Sequence, residues 1–150
     1  MKIAFGCDHG GYVIKEEVLN FLISKGYEVI DAGTFAPDSC DYPDYAEKVC
    51  LEVTEGNVDF GILICGTGIG MSIVANKFKG IRCAHVTDVF SAEMTRRHNN
   101  ANVIALGQRI SKVEDIINYI DVFLSTPFDG VDGGRHATRV NKIIEIENKL

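Results

Sequence analysis

Five short apolar runs, separated by stretches of helical periodicity, constrain this chain more than any other feature. Residues 2–7 (KIAFGC), 27–31, the run DFGILIC ending at Cys65, 82–86 and 103–106 read as strands. Helices are expected over 12–25, where Val18, Leu19 and Leu22 share a face and Gly26 stops the pattern, and from Pro43 onward, with Tyr45, Ala46, Val49, Cys50 and Val53 as the apolar stripe. Further helices are expected after the glycines at 66–70, over 88–97 with Thr87 or Asp88 as cap, and over 114–124. Strands alternating with helices of this length make βαβ units, hence a parallel sheet covered on both faces. The expected fold is α/β, a Rossmann- or flavodoxin-like three-layer sandwich with strand order 2-1-3-4-5.

Residues 1–126 suffice for that core. The segment 127–134 (PFDGVDGG) reads as a link, and 135–150 as a last helix whose Val140, Ile143, Ile144 and Ile146 need a surface to cover them. A neighbouring subunit is the natural place, so a homodimer with a C-terminal arm is expected, with pairing of dimers into tetramers left open. All of 1–150 is read as one domain.

Composition excludes several classes. A net charge of −6 disfavours nucleic acid, and no apolar run reaches the ~18 residues of a membrane span. The start of the chain carries no basic, apolar leader, so a cytoplasmic protein is expected. Five cysteines (Cys7, Cys40, Cys50, Cys65, Cys83) form no CxxC pair, against both a zinc site and a disulfide framework. All six arginines lie at Arg82 or later, so the second half can build a cationic pocket inside an acidic protein.

The chemistry concentrates on strand tips. Cys65 ends the third strand, and Gly66, Thr67, Gly68, Ile69 and Gly70 follow it. GTGIG is neither a dinucleotide fingerprint nor a P-loop; what it offers is backbone amides able to surround an oxyanion or phosphate. A buried cysteine is often only a small hydrophobe, as expected for Cys50 and Cys83, whereas Cys65 sits beside amides that favour a thiolate. Cys7, Asp8 and His9 share the first strand tip; being consecutive, their side chains diverge, so no metal is expected, and Asp8 and His9 are assigned to a polar ligand. Because Cys7 and Cys65 end adjacent strands, they are expected to approach closely enough for oxidation to inactivate the protein. His98 closes a helix in RRHNNAN, and Arg135 and Arg139, four apart, place two guanidiniums on one helix face, a good phosphate fork.

GCDHGG, DYP at 41–43, ICGTGIG, RHNNANV and GGRHATRV, in that order along almost the whole chain, resemble the type B ribose-5-phosphate isomerase family, with its allose- and galactose-6-phosphate relatives. The resemblance implies an aldose–ketose isomerase interconverting ribose 5-phosphate and ribulose 5-phosphate without cofactor or metal. It implies Cys65 as general base, Thr67 and the amides of Gly66, Gly68, Ile69 and Gly70 as enediolate donors, and His98 as the group that opens the furanose ring. It assigns Asp8, His9, Tyr42 and Asn99 to the sugar, and Arg109, Arg135 and Arg139 chiefly to the phosphate. It also implies a dimer whose sites are each assembled from two chains. A hexose 6-phosphate isomerase, a silent sugar-phosphate sensor and a nucleotide-binding module of flavodoxin type are the competing readings.

Overall fold

The computed structural model describes residues 1–150. Five parallel strands, β1 (Lys2–Cys7), β2 (Glu28–Asp31), β3 (Phe60–Cys65), β4 (Cys83–His85) and β5 (Val103–Gly107), form one sheet. The helices are α1 (His9–Tyr12), α2 (Lys15–Ser24), α3 (Tyr42–Thr54), α4 (Ile69–Ala75), α5 (Val89–Asn99), α6 (Val113–Ser125) and α7 (Arg135–Glu147). The three-layer α/β sandwich is as expected from sequence.

The strand order is 2-1-3-5-4, not 2-1-3-4-5. β5 (VIALG) is buried along its whole length and sits between β3 and β4, whereas β4 is three residues long and partly exposed. A strand buried on both faces belongs inside a sheet, and a short polar-ended one at its edge.

Alternation along the central strands sorts side chains between two cores. Ile3, Phe5, Cys7, Ile62, Ile64, Ile104 and Leu106 meet Val18 and Leu22 of α2, Ala92 of α5, and Ile116, Ile120 and Phe123 of α6. Ala4, Leu63, Cys65, Val103 and Ala105 meet Ala46, Val49 and Cys50 of α3 and Met71 and Ala75 of α4. The second face is the thinner one. A Cβ on Gly6 or Gly61 would come within 2.7 Å of Val49, so α3 lies almost on the backbone of the sheet.

This sorting corrects the expectation for Cys7 and Cys65. Cys7 is in register with Ile64, one residue short of Cys65, and a one-residue offset sends side chains to opposite faces. The two thiols are separated by the sheet. Burial also pushes the Cys7 thiol up to about 12, so it stays protonated and unreactive.

Residues 8–11 (DHGG), between the strand at 2–7 and the helix expected over 12–25, begin a helical turn. Asp8 caps α1 by accepting from the Gly10 and Gly11 N–H groups at 2.8 and 3.2 Å, and α2 starts only at Lys15. Asp88 caps α5 through Ser91 N–H at 2.7 Å. α7 packs on α5 and buries only Val140; Ile143, Ile144 and Ile146 remain exposed within the chain. No helix is long and apolar enough to cross a membrane.

Candidate active site

Cys65 ends β3 on the α3/α4 face and is 5% exposed. The chain then turns through Gly68 at φ 78°, where an added Cβ would lie 2.8 Å from the Leu106 backbone, so there is no room for a side chain. The turn aims the Gly68 N–H at Cys65 Sγ, 3.1 Å away. Such a donor is strengthened when the sulfur is a thiolate. The Gly68 amide therefore holds the sulfur itself. Thr67 is exposed beside it; its hydroxyl accepts from Ile69 N–H at 3.3 Å, and its carbonyl meets His85 Nε2 at 2.8 Å.

Neighbouring elements wall this turn. Gly10 of α1 lies against it so closely that a Cβ would sit 2.9 Å from Gly66 N, and a Cβ on Gly11 would strike the Ile64 carbonyl oxygen. The Tyr42 ring lies over Gly70, and the Arg109 side chain over Gly66, each near enough to contact an added Cβ. Gln108 and Arg109 N–H donate to the Cys65 and Gly66 carbonyls at 3.0 and 2.9 Å. Asp8 is 6% exposed; one carboxylate oxygen holds α1 and the other accepts no hydrogen bond from the chain. His9 Nδ1 accepts the Cys40 N–H at 3.2 Å, which assigns its proton to Nε2. The loop carrying Cys40 is in turn anchored by Lys15, buried and bonded to Asp31 and the Thr34 carbonyl at 2.8 Å each. Asp8, His9, Tyr42, Cys65, Gly66, Thr67, Gly68, Ile69, Gly70 and Arg109 thus gather at the carboxyl end of the sheet, where ligands of open α/β folds bind.

His98, Asn99, Arg135 and Arg139 do not join them. α5 runs back against the strands, so its last turn lies at their amino ends. Arg96 shows this directly, its guanidinium 4.7 Å from the ring of Phe60, the first residue of β3. At ~3.3 Å per residue, β3 alone puts ~17 Å between the two ends. There the His98 and His136 rings stack at 4.3 Å, 5° from parallel. Arg97 Nε donates to both Asp129 oxygens at 3.2 and 3.0 Å, holding that carboxyl below its usual range. Asn99 lines a cavity of about 480 Å³ beneath α7, with Arg82, Ile143 and Ile146.

His98, Asp129 and His136 bring donor atoms within 4.8 Å of one another, a metal-type set that sequence reading missed. Their geometry does not fit one. An imidazole binds a metal in its ring plane at ~2.0 Å, and two parallel stacked planes share no such point. His136 and His85 were also missed; their partners come from distant segments, and only the HAT step of GGRHATRV hinted at the first.

The model of the Ribose/Galactose Isomerase family matches residues 3–143. Ribose-5-phosphate isomerase B of Escherichia coli is 47% identical over 99% of this chain and 97% of its own. Among solved structures, ribose-5-phosphate isomerase B of Clostridium thermocellum superposes with a TM-score of 0.95 at 52% identity, covering 99% of each chain. That of Mycoplasma genitalium, with bound ribulose-5-phosphate, gives 0.92 at 38%, covering 99% of this chain and 97% of its own. The family match over residues 3–143 and the identities over nearly the whole chain agree: the chain belongs to the ribose/galactose isomerase family.

Proposed function

We propose that this chain is an aldose–ketose isomerase that interconverts D-ribose 5-phosphate and D-ribulose 5-phosphate through a cis-enediolate. The observation that carries the reading is a near-buried cysteine at a strand tip, its sulfur held by the Gly68 amide, in a chain 47% identical to an enzyme of that name. His98 acts first, passing a proton to the ring oxygen of the furanose as the O1 proton leaves. The Cys65 thiolate then takes the proton from C2, and the electron pair moves onto the C1 carbonyl to give the enediolate. The thiol returns its proton to C1, O2 becomes the ketone oxygen, and O2 releases a proton as O1 gains one. Thr67 and the loop amides stabilise charge on O1 and O2, Asp8, His9, Tyr42 and Asn99 hold the sugar, and Arg109, Arg135 and Arg139 hold the phosphate. The oxidation change is internal to the sugar, so neither nicotinamide nor metal is required.

One chain keeps Cys65 and His98 at opposite ends of its sheet, so the reaction centre is formed by two copies, each supplying one end. The exposed Ile143, Ile144 and Ile146 of the 127–150 arm, beside the 1–126 core, suit that homodimer. Five free thiols suit a cytoplasmic setting. The test is turnover of ribose 5-phosphate against allose and galactose 6-phosphates. Ribose 5-phosphate is expected to give the highest kcat/KM; preference for a hexose phosphate moves the assignment within the family, and no turnover of any leaves only a binding protein. Cys65→Ala should lower kcat by ~10²–10⁴-fold with phosphate-ligand affinity retained.

A further inference from the structure

The stacked pair at the amino end contains one member that the proposed chemistry does not use. His136 opens α7 one residue after Arg135, and its ring lies parallel to that of His98 at 4.3 Å. His136 Nε2 faces Arg135 Nε at 3.4 Å; because the guanidinium can only donate, the imidazole proton sits on Nδ1. That Nδ1 is buried and has no hydrogen-bond partner in the chain. Within the chain the ring makes one hydrogen bond, from Arg135, and its broad contact is its face against His98.

The surroundings agree. Burial, then His98, Arg135 and Arg139, push His136 below the ordinary histidine range, against the opposing pull of Asp129. It is therefore neutral near pH 7, where the stack does not set two cations face to face. Asp129, locked by Arg97, keeps the link 127–134 against the end of α5, where Asp129 N–H also donates to the Arg97 carbonyl at 3.0 Å. His98 sits in the last turn of α5, two residues before Asn100 at φ 48°, where the helix ends. A ring that must meet a furanose oxygen needs its plane fixed within a few tenths of an ångström.

We propose that His136 is a positioning residue, a neutral plate that fixes the plane of the His98 imidazole for ring opening. This rests on the reading of His98 as the ring-opening group. The inference predicts that shape matters at 136 and basicity does not.

The test compares His136→Ala with His136→Phe, which keeps a flat ring and removes both nitrogens. His136→Ala should lose about tenfold or more of kcat on ribose 5-phosphate, with KM within about twofold because Arg135 and Arg139 remain. His136→Phe should stay within about threefold of the parent kcat. Solvent deuterium exchange at C1 of ribulose 5-phosphate, which is acyclic and needs no ring opening, should persist at the parent rate in both. An unchanged kcat in His136→Ala overturns the inference. So does an equal loss in His136→Phe, or loss of exchange together with turnover. His98→Ala separates the two levels: if that variant turns over normally, the ring-opening reading fails, whereas an inactive His98→Ala beside a normal His136→Ala sinks only the plate.

Discussion

At the carboxyl end of the sheet, position is set by backbone. Gly68 N–H reaches the Cys65 sulfur because the chain turns through φ 78°, Asp8 is fixed by the amides of α1, and His9 by the Cys40 amide. At the amino end, position is set by side chains reaching out of α5: Arg97 to Asp129, His98 against His136, Arg96 to the carbonyls of Ala101 and Thr126. The base that moves a carbon-bound proton needs an unmoving frame. Groups that grip a phosphate tolerate reach and charge, while the plane of the His98 ring is set by a side-chain stack. On the proposed reading, the division between ends matches those demands and leaves each end with half of a site.

Mixing two inactive variants is the sharpest way to break this picture. Cys65→Ala and His98→Ala spoil opposite ends. If a site takes one end from each of two copies, hybrid dimers contain one site with both lesions and one with none. An equimolar mixture that has exchanged subunits should recover about a quarter of parental activity. Sites complete within one chain would give no recovery.

The rigid end should be the one that cannot absorb volume. Gly11→Ala drives a methyl into the Ile64 carbonyl and the Cys7 side chain, both backed by the sheet. A loss of ~1–3 kcal/mol in urea unfolding is expected, together with a fall in kcat because Ile64 precedes Cys65. Gly133→Ala tests the other side of the comparison. It has open space and φ 97°, so only the smaller backbone strain, ~1 kcal/mol, should appear, without loss of kcat.

The smallest effect is a pH response confined to the amino end. Asp129 is held below its ordinary 3.8, first by its hydrogen bonds to Arg97. A depressed carboxyl supplies stability that is complete above its unfolded value and lost as pH falls through its folded one. Acid melting curves of the parent and Asp129→Asn should therefore differ above pH 3.8 and converge below it. Because the pair is solvent-exposed, the difference should shrink with added salt. Equal curves at all pH values would show the pair to be ornamental.

Much of this was legible in the residues. DFGILICGTGIG announced a strand tip with a cysteine and a turn of amides, and the alternation of strands and helices announced the sandwich. Three matters were not legible from local pattern. Strand order is a long-range choice, and the burial of β5 decides it through contacts that periodicity does not encode. The separation of Cys7 from Cys65 depends on register, where one residue changes the face. His136 acquires its neighbour only when the link 127–134 folds back onto α5. By contrast, the wide spacing of His98 from Cys65 follows from βαβ geometry, since a crossover helix must return to the amino ends before the next strand begins.

The edges of the sheet carry one more consequence. β2 has four residues and β4 three, the shortest strands in the fold. Each exposes too brief a row of amides and carbonyls to template another strand. Copies of this chain therefore have little means of joining by sheet extension, which guards against open-ended fibrous growth. Any pairing of copies is left to helix surfaces such as the exposed face of α7.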